Sequence, residues 1–144
     1  MLGRAQIEAL IPHAGAMCLL DRVIAWDATS IHARSASHRA ATHPLRRDGR
    51  LHAIHLCEYG AQAMALHGGL LARSRHEVAR PGLLVALRAV ELAVDRIDDL
   101  AGDLDVHAEC VALGAQAWQY TFRVSHAGAQ LGSGRAMVAL GALP

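Results

Sequence analysis

Aromatic side chains are scarce in this sequence, and neither sign of charge is in excess. Two Trp, two Tyr and one Phe stand among 144 residues, and 14 basic residues face 13 acidic ones. A nucleic-acid surface needs a basic footprint and stacking rings, so both shortages argue against one. Cysteine is scarce too: Cys18, Cys57 and Cys110 are scattered singly. An odd total without a CxxC pair argues against a disulfide framework or a zinc–cysteine site, and it suits a reducing compartment. The start, MLGRAQIEALIPHAG, lacks a charged segment followed by a long apolar one. No secretory signal is read there, and a cytoplasmic location is expected.

Long apolar runs free of polar residues are also missing. Residues 54–72 are long enough to span a bilayer, but they carry His55, Glu58, Gln62, His67 and three glycines. Such residues are strongly unfavourable in lipid, so a helix buried in protein is expected, with no membrane association. No repeat, linker or low-complexity tract divides the chain, and its length suits one domain over residues 1–144. Apolar residues, mostly Ala, Leu and Val, are plentiful at 53%. That is high for a small monomer and points to apolar surface buried between subunits.

The pattern of elements follows. RAQIEALIPH makes a short helix that ends at Pro12. RVIAWD reads as a strand, and SIHARSASH alternates, with Ile31, Ala33, Ser35 and Ser37 on one side. Residues 53–73 are rich in Ala, Leu and Met and read as one long helix. Its glycines and alanines (Gly60, Ala61, Ala65, Gly68) make sense if a sheet packs close to it. Strand-like segments follow at Leu83–Asp95, Leu104–Leu113, Ala117–Ser125 and Leu131–Leu140. In the third, Trp118, Tyr120, Phe122 and Val124 alternate with polar residues, as in a sheet with one wet face. Leu83–Asp95 is apolar on both faces, so it is central or lies at a subunit boundary. One helix cannot cover both faces of about six strands. The economical α+β solution is a curved antiparallel sheet wrapped around a single buried helix, which is the hotdog fold.

The chemistry-bearing residues cluster around HPLRRDGRLHAIHLCEYGAQA, residues 43–63. Glu58 has Ile54, His55, Ala61 and Gln62 as helical neighbours, without Lys or Arg. It is either a carboxylate at the helix margin, paired elsewhere, or a desolvated acid with a raised pKa that can donate a proton. His43 lies before Pro44 in the loop that delivers the chain to this helix. His52, His55 and Glu58 are too widely spread around a helix for a metal site, and no metal or cofactor is called for. LGSGRA lacks dinucleotide-binding spacing, and no serine sits in a GxSxG elbow. Arg46, Arg47 and Arg50 form a basic loop, either simply solvated or docking an acidic carrier.

Three stretches carry a family resemblance. IPHAGAMCLLDRV at 11–23, CEYGAQA at 57–63 and the segment 82–109 resemble, in order, bacterial β-hydroxyacyl-[acyl carrier protein] dehydratases. The likeness is nearest to the short divergent members of aryl-polyene-type pathways. It implies dehydration of a 3-hydroxyacyl thioester on an acyl carrier protein, at the interface of a homodimer or of a heterodimer with a second hotdog protein. In that family a loop histidine of one subunit meets the helix carboxylate of the other, roles that fall on His43 as base and Glu58 as acid. Backbone amides of Ala53 and Ile54 are expected to hold the thioester oxygen, with His13 and Gln62 contacting substrate. The usual GHFPG is replaced here by THPLRRDG. Two alternatives stay open: a thioesterase in which Glu58 activates water, and a non-catalytic acyl-binding subunit of a heterodimer.

Overall fold

The computed structural model describes residues 2–12, 15–80 and 82–141. A two-residue strand β1 (Leu2–Gly3) leads into α1 (Arg4–Glu8), then β2 (Arg22–Trp26) and β3 (Ser30–Ser35). A 3-10 turn (Ala53–His55) opens the long helix α2 (Leu56–Ser74). Four strands follow: β4 (Gly82–Leu92), β5 (Leu104–Leu113), β6 (Ala117–His126) and β7 (Ala129–Leu140). They form one antiparallel sheet in the order β1-β2-β3-β5-β6-β7-β4. This is the hotdog arrangement, with β1 added to the six expected strands.

Alternation decides which face packs on α2. Ile31, Ala33 and Ser35 on β3, Leu104, Val106 and Ala108 on β5, and Tyr120, Phe122 and Val124 on β6 are buried. They meet Leu56, Tyr59, Ala63, Met64, Leu66 and Leu70 of the helix in one core, and each large apolar side chain stabilises by about 1.5–3 kcal/mol. The helix glycines allow the close approach. A Cβ on Gly60 would stand 2.5 Å from the Phe122 ring, and one on Gly134 of β7 would stand 2.9 Å from it. The single phenylalanine is thus gripped between two glycines. Midway along α2 the fully buried His67 pins the helix down. Its Nε2–H donates to the Asp27 carbonyl at 2.9 Å, and its Nδ1 accepts from the Tyr120 hydroxyl at 2.8 Å.

The opposite face of the sheet is polar. Asp105 accepts from His32 Nε2 at 2.7 Å and from Arg34 Nε at 2.8 Å, and the His32 ring stacks on His107 at 4.1 Å. Among the described residues β4 lies at the sheet edge and pairs only with β7, its register broken between Leu84 and Ala86 and between Arg88 and Glu91. Of the two places the sequence allowed this strand, the centre is therefore ruled out. Leu83 is 68% exposed and Val85 50%, with Leu84 and Leu87 also in water. An apolar edge strand with unpaired backbone groups is a surface made for another chain.

Candidate active site

The loop after β3 crosses the sheet flank and returns to the start of α2, carrying His43 with it. There His43 is 6% exposed. Its Nδ1 accepts the Leu45 N–H at 3.1 Å, so the neutral ring carries its proton on Nε2, which donates to the Tyr59 hydroxyl at 3.2 Å. Tyr59 in turn donates to Ser37 Oγ at 2.7 Å, and Ser37 donates to the Leu19 carbonyl at 2.8 Å. The Ser35 hydroxyl donates to the same carbonyl. One bonding direction satisfies every member, because a ring that already accepts at Nδ1 has a single neutral tautomer left. Burial, then the neighbouring His55, Arg46 and His38, lower the His43 pKa to about 4. Burial pushes Tyr59 up to about 12, the Ser37 hydrogen bond opposing it. At neutral pH both side chains are uncharged.

Glu58 is half-buried on the first turn of α2. Gln62, one turn on, donates from Nε2 to Glu58 Oε1 at 3.4 Å and to the Met17 carbonyl at 2.7 Å, while its Oε1 accepts the Leu19 N–H at 2.8 Å. Gln62 is fully buried with both ends of its amide engaged, so its place is to hold Glu58 and the Met17–Leu19 segment. The backbone of Leu19 therefore ties two networks together: its N–H serves the Glu58–Gln62 pair and its carbonyl serves the His43–Tyr59 chain. Glu58 and Tyr59 are consecutive on a helix and point about 100° apart. Within one chain His43 is bonded to Tyr59, while Glu58 is bonded to Gln62.

The amides expected to be open are occupied. Ala53 N–H donates to the Asp95 carbonyl at 2.9 Å, and Ile54 N–H donates to His52 Nδ1 at 3.0 Å. His52 acts as a side-chain cap on the 3-10 turn, and its isolated bridge to Arg96 brings the segment between β4 and β5 against Ala53. The basic loop is also differentiated. Arg46 is held by the Gly49 and His38 carbonyls at 2.8 and 3.1 Å. Arg47 and Arg50 bracket a tight turn in which Asp48 and Gly49 take positive φ (51° and 74°), the left-handed geometry of a two-residue hairpin. Their guanidinium groups form no ion pair among the described residues. His13 lies outside the described residues.

Beside His43 opens a cleft of about 320 Å³, bordered by Ser37, Thr42, Cys18, Asp21 and Arg4. Arg4 is anchored across it to Asp21 at 3.1 Å and to the Gly15 carbonyl at 2.8 Å. The sequence marks neither Tyr59 nor Ser37 as a site residue. The signal for the first is a phenol adjoining Glu58 in an apolar run, where a buried hydroxyl requires a partner.

The family model described as ApeP-like, ApeP dehydratase, matches residues 5–141. The chain belongs to the ApeP-like dehydratase family. No curated protein matches. Among solved structures, this ApeP-like dehydratase chain is similar to the dehydratase heterocomplex ApeI:P from Xenorhabdus doucetiae. The TM-score is 0.84 at 24% identity, over 94% of this chain and 91% of that one. AziG from S. sahachiroi follows at a TM-score of 0.67 and 17% identity, over 91% and 97%. A hypothetical thioesterase with coenzyme A from Streptococcus pneumoniae TIGR4 gives a TM-score of 0.60 and 12% identity, over 85% and 86%. At these identities the structural likenesses show the fold, which is a hotdog in each comparison, and the family match makes the chain a dehydratase-family protein.

Proposed function

We propose that this chain, paired with a second hotdog subunit, dehydrates a 3-hydroxyacyl thioester on an acyl carrier protein to the trans-2-enoyl thioester. The observation that carries the reading is Glu58 on the first turn of α2, held by a Gln62 that is itself fixed to Leu19 and Met17, in a chain of a dehydratase family. Dehydration needs a proton taken from C2 and another given to the departing hydroxyl. The reading assigns the second to Glu58. An imidazole takes the first, and the resemblance assigns that part to His43. The ring is neutral at pH 7, but its one lone pair faces the Leu45 N–H, so that bond has to open before His43 can accept a proton. Of the two amides expected to stabilise the thioester oxygen, Ile54 is the one a ligand can win, since its partner is a side chain.

The apolar edge of β4 supplies the subunit contact. That the structural relative ApeI:P is a heterocomplex favours a heterodimer over a homodimer. Arg47 and Arg50 are the cations left to meet an acidic carrier. No described helix is long and apolar enough to cross a membrane, and the reading places the reaction in the cytoplasm. The test is the purified chain, alone and with a co-encoded hotdog partner, given a 3-hydroxyacyl-carrier substrate. Enoyl product supports the proposal. Free acid instead makes the protein a thioesterase, and no turnover in either preparation makes it an acyl-binding subunit.

A further inference from the structure

The sheet face turned away from α2 holds a second cleft, of about 580 Å³, lined by residues of β2 to β7. Strand register fixes what meets there. Arg123 on β6 stands opposite Ser133 on β7, and Thr121 stands opposite Arg135. All four border the cleft, while Phe122, between Thr121 and Arg123, is buried on the α2 side. They form a square with two guanidinium groups on one diagonal and two hydroxyls on the other. Diagonal neighbours on paired strands lie about 7–8 Å apart, within reach of side chains as long as arginine.

The charges around the square do not cancel. Asp105 is taken up by His32 and Arg34. Arg123 and Arg135 make no ion pair or hydrogen bond among the described residues. Arg88 on β4 stands directly opposite Arg135, and like charges so placed are destabilising. Glu109, opposite Thr121, and Glu91, opposite Ser133, also border the cleft. Three guanidinium groups thus face two carboxylates, and an anion entering here meets net positive charge.

We propose that this cleft binds a phosphate group, free or at the end of a small organic phosphate, between Arg123 and Arg135. The two guanidinium forks donate to the phosphate oxygens, a geometry arginine matches in pairs of hydrogen bonds. The hydroxyls of Thr121 and Ser133 donate to the oxygens that remain, and the anion relieves the repulsion between Arg88 and Arg135. The volume is that of a small-ligand site and leaves room beyond the phosphate itself. Glu58 stands on α2, across the sheet from the cleft. The site is therefore separate from the proposed reaction, and the inference holds whether or not the chain dehydrates a thioester.

His107 is a reporter in the wall of the cleft. Its ring stacks on His32 at 4.1 Å and stands opposite Arg123, and its Nδ1 is buried without a partner among the described residues. Burial lowers its pKa, His32 on β3 and Arg123 on β6 lower it further, and Asp105 on β5 opposes them. Arg34, Glu109, Arg135 and Glu91 complete the charges on this face. An anion beside Arg123 offsets one of the two cations that discourage protonation, so binding raises the His107 pKa.

The experiment is calorimetric titration, at constant ionic strength, of the full chain together with its hotdog partner. The probes are inorganic phosphate, AMP and adenosine. Both phosphates are expected to bind and adenosine is not. Arg123→Gln should weaken phosphate binding by at least about tenfold, and Arg75→Gln, at the far end of α2, should leave it unchanged. AMP binding more tightly than inorganic phosphate assigns an organic phosphate, and equal affinity assigns the free anion. No binding of either phosphate at millimolar concentration, adenosine binding as well as AMP, or an unaffected Arg123→Gln overturns the proposal. Should Arg123→Gln lose its circular dichroism, Arg135→Gln carries the same expectation. Independently, the His107 ring is titrated by NMR with and without inorganic phosphate. Its pKa should rise with the anion, and an unmoved titration overturns the placement beside Arg123.

Discussion

On the β3 flank of the sheet, polar side chains close on one another. Ser35, Ser37, Tyr59 and His43 run into the Leu19 carbonyl, and Gln62 takes the Leu19 amide. On the β4 flank, Leu83, Val85 and Leu87 face water, with only β7 beside them among the described residues. The first flank completes its bonding within the chain. The second leaves a row of backbone groups and apolar side chains to be completed from outside. The chain thus carries its own means of placing Glu58, while its β4 edge has no further strand beside it among the described residues.

That contrast can be broken at five points. The largest effect is expected at Glu58: Glu58→Gln keeps the size and the contact with Gln62 but removes the transferable proton. Turnover of a 3-hydroxyacyl thioester should fall at least about 100-fold with the melting temperature unchanged, as read by steady-state kinetics and calorimetry. Next comes the open flank. Leu83→Asp together with Val85→Asp should weaken subunit association by at least about tenfold, because charges buried there lack partners. Sedimentation measures it, while circular dichroism should show the single-chain fold retained. Third, Gly60→Ala drives a methyl into the Phe122 ring and should cost about 1–3 kcal/mol in denaturant unfolding.

The fourth prediction concerns pH. His43 has a folded pKa of about 4, below its ordinary 6.5. Between those values the unfolded chain holds a proton that the folded chain does not, so stability is lost as pH falls through the window. The slope for this one group is at most about 1.4 kcal/mol per pH unit, and His43→Gln should flatten the curve there. Smallest is Tyr59→Phe, which leaves His43 Nε2–H and Ser37 without their shared partner. About 1 kcal/mol is expected, detected by urea titration, and with it faster amide exchange in the loop carrying His43.

Much of the fold was legible because period and burial coincide. The alternation of Trp118, Tyr120, Phe122 and Val124 and that of Ile31, Ala33 and Ser35 are the buried faces of β6 and β3. The glycines of residues 53–73 mark where other elements press on α2: Phe122 at Gly60, Trp118 at Gly68 and the Leu10 backbone at Gly69. β1 was not legible, since two residues carry no period. The site divides in the same way. Glu58 stands out as an acid in an apolar run, a contrast any local reading can detect. The availability of a backbone amide does not, because Ala53 is claimed by Asp95, just past the end of β4, and Ile54 by a cap whose bonding depends on one rotamer of His52. The tautomer of His43 is hidden for the same reason. It turns on whether the Leu45 N–H points inward, which is a property of the folded loop and not of the residue string.

The ring of Phe122 sits between Gly60 and Gly134, on a helix and a strand more than seventy residues apart in sequence. Each glycine is tolerable only while the other two positions stay as they are. A methyl at either glycine demands a smaller ring, and a smaller ring leaves a void that a methyl would fill. The three positions should therefore drift as a unit among relatives, and a mutational library that varies them one at a time will find only losses. The route to a different core runs through changing all three at once.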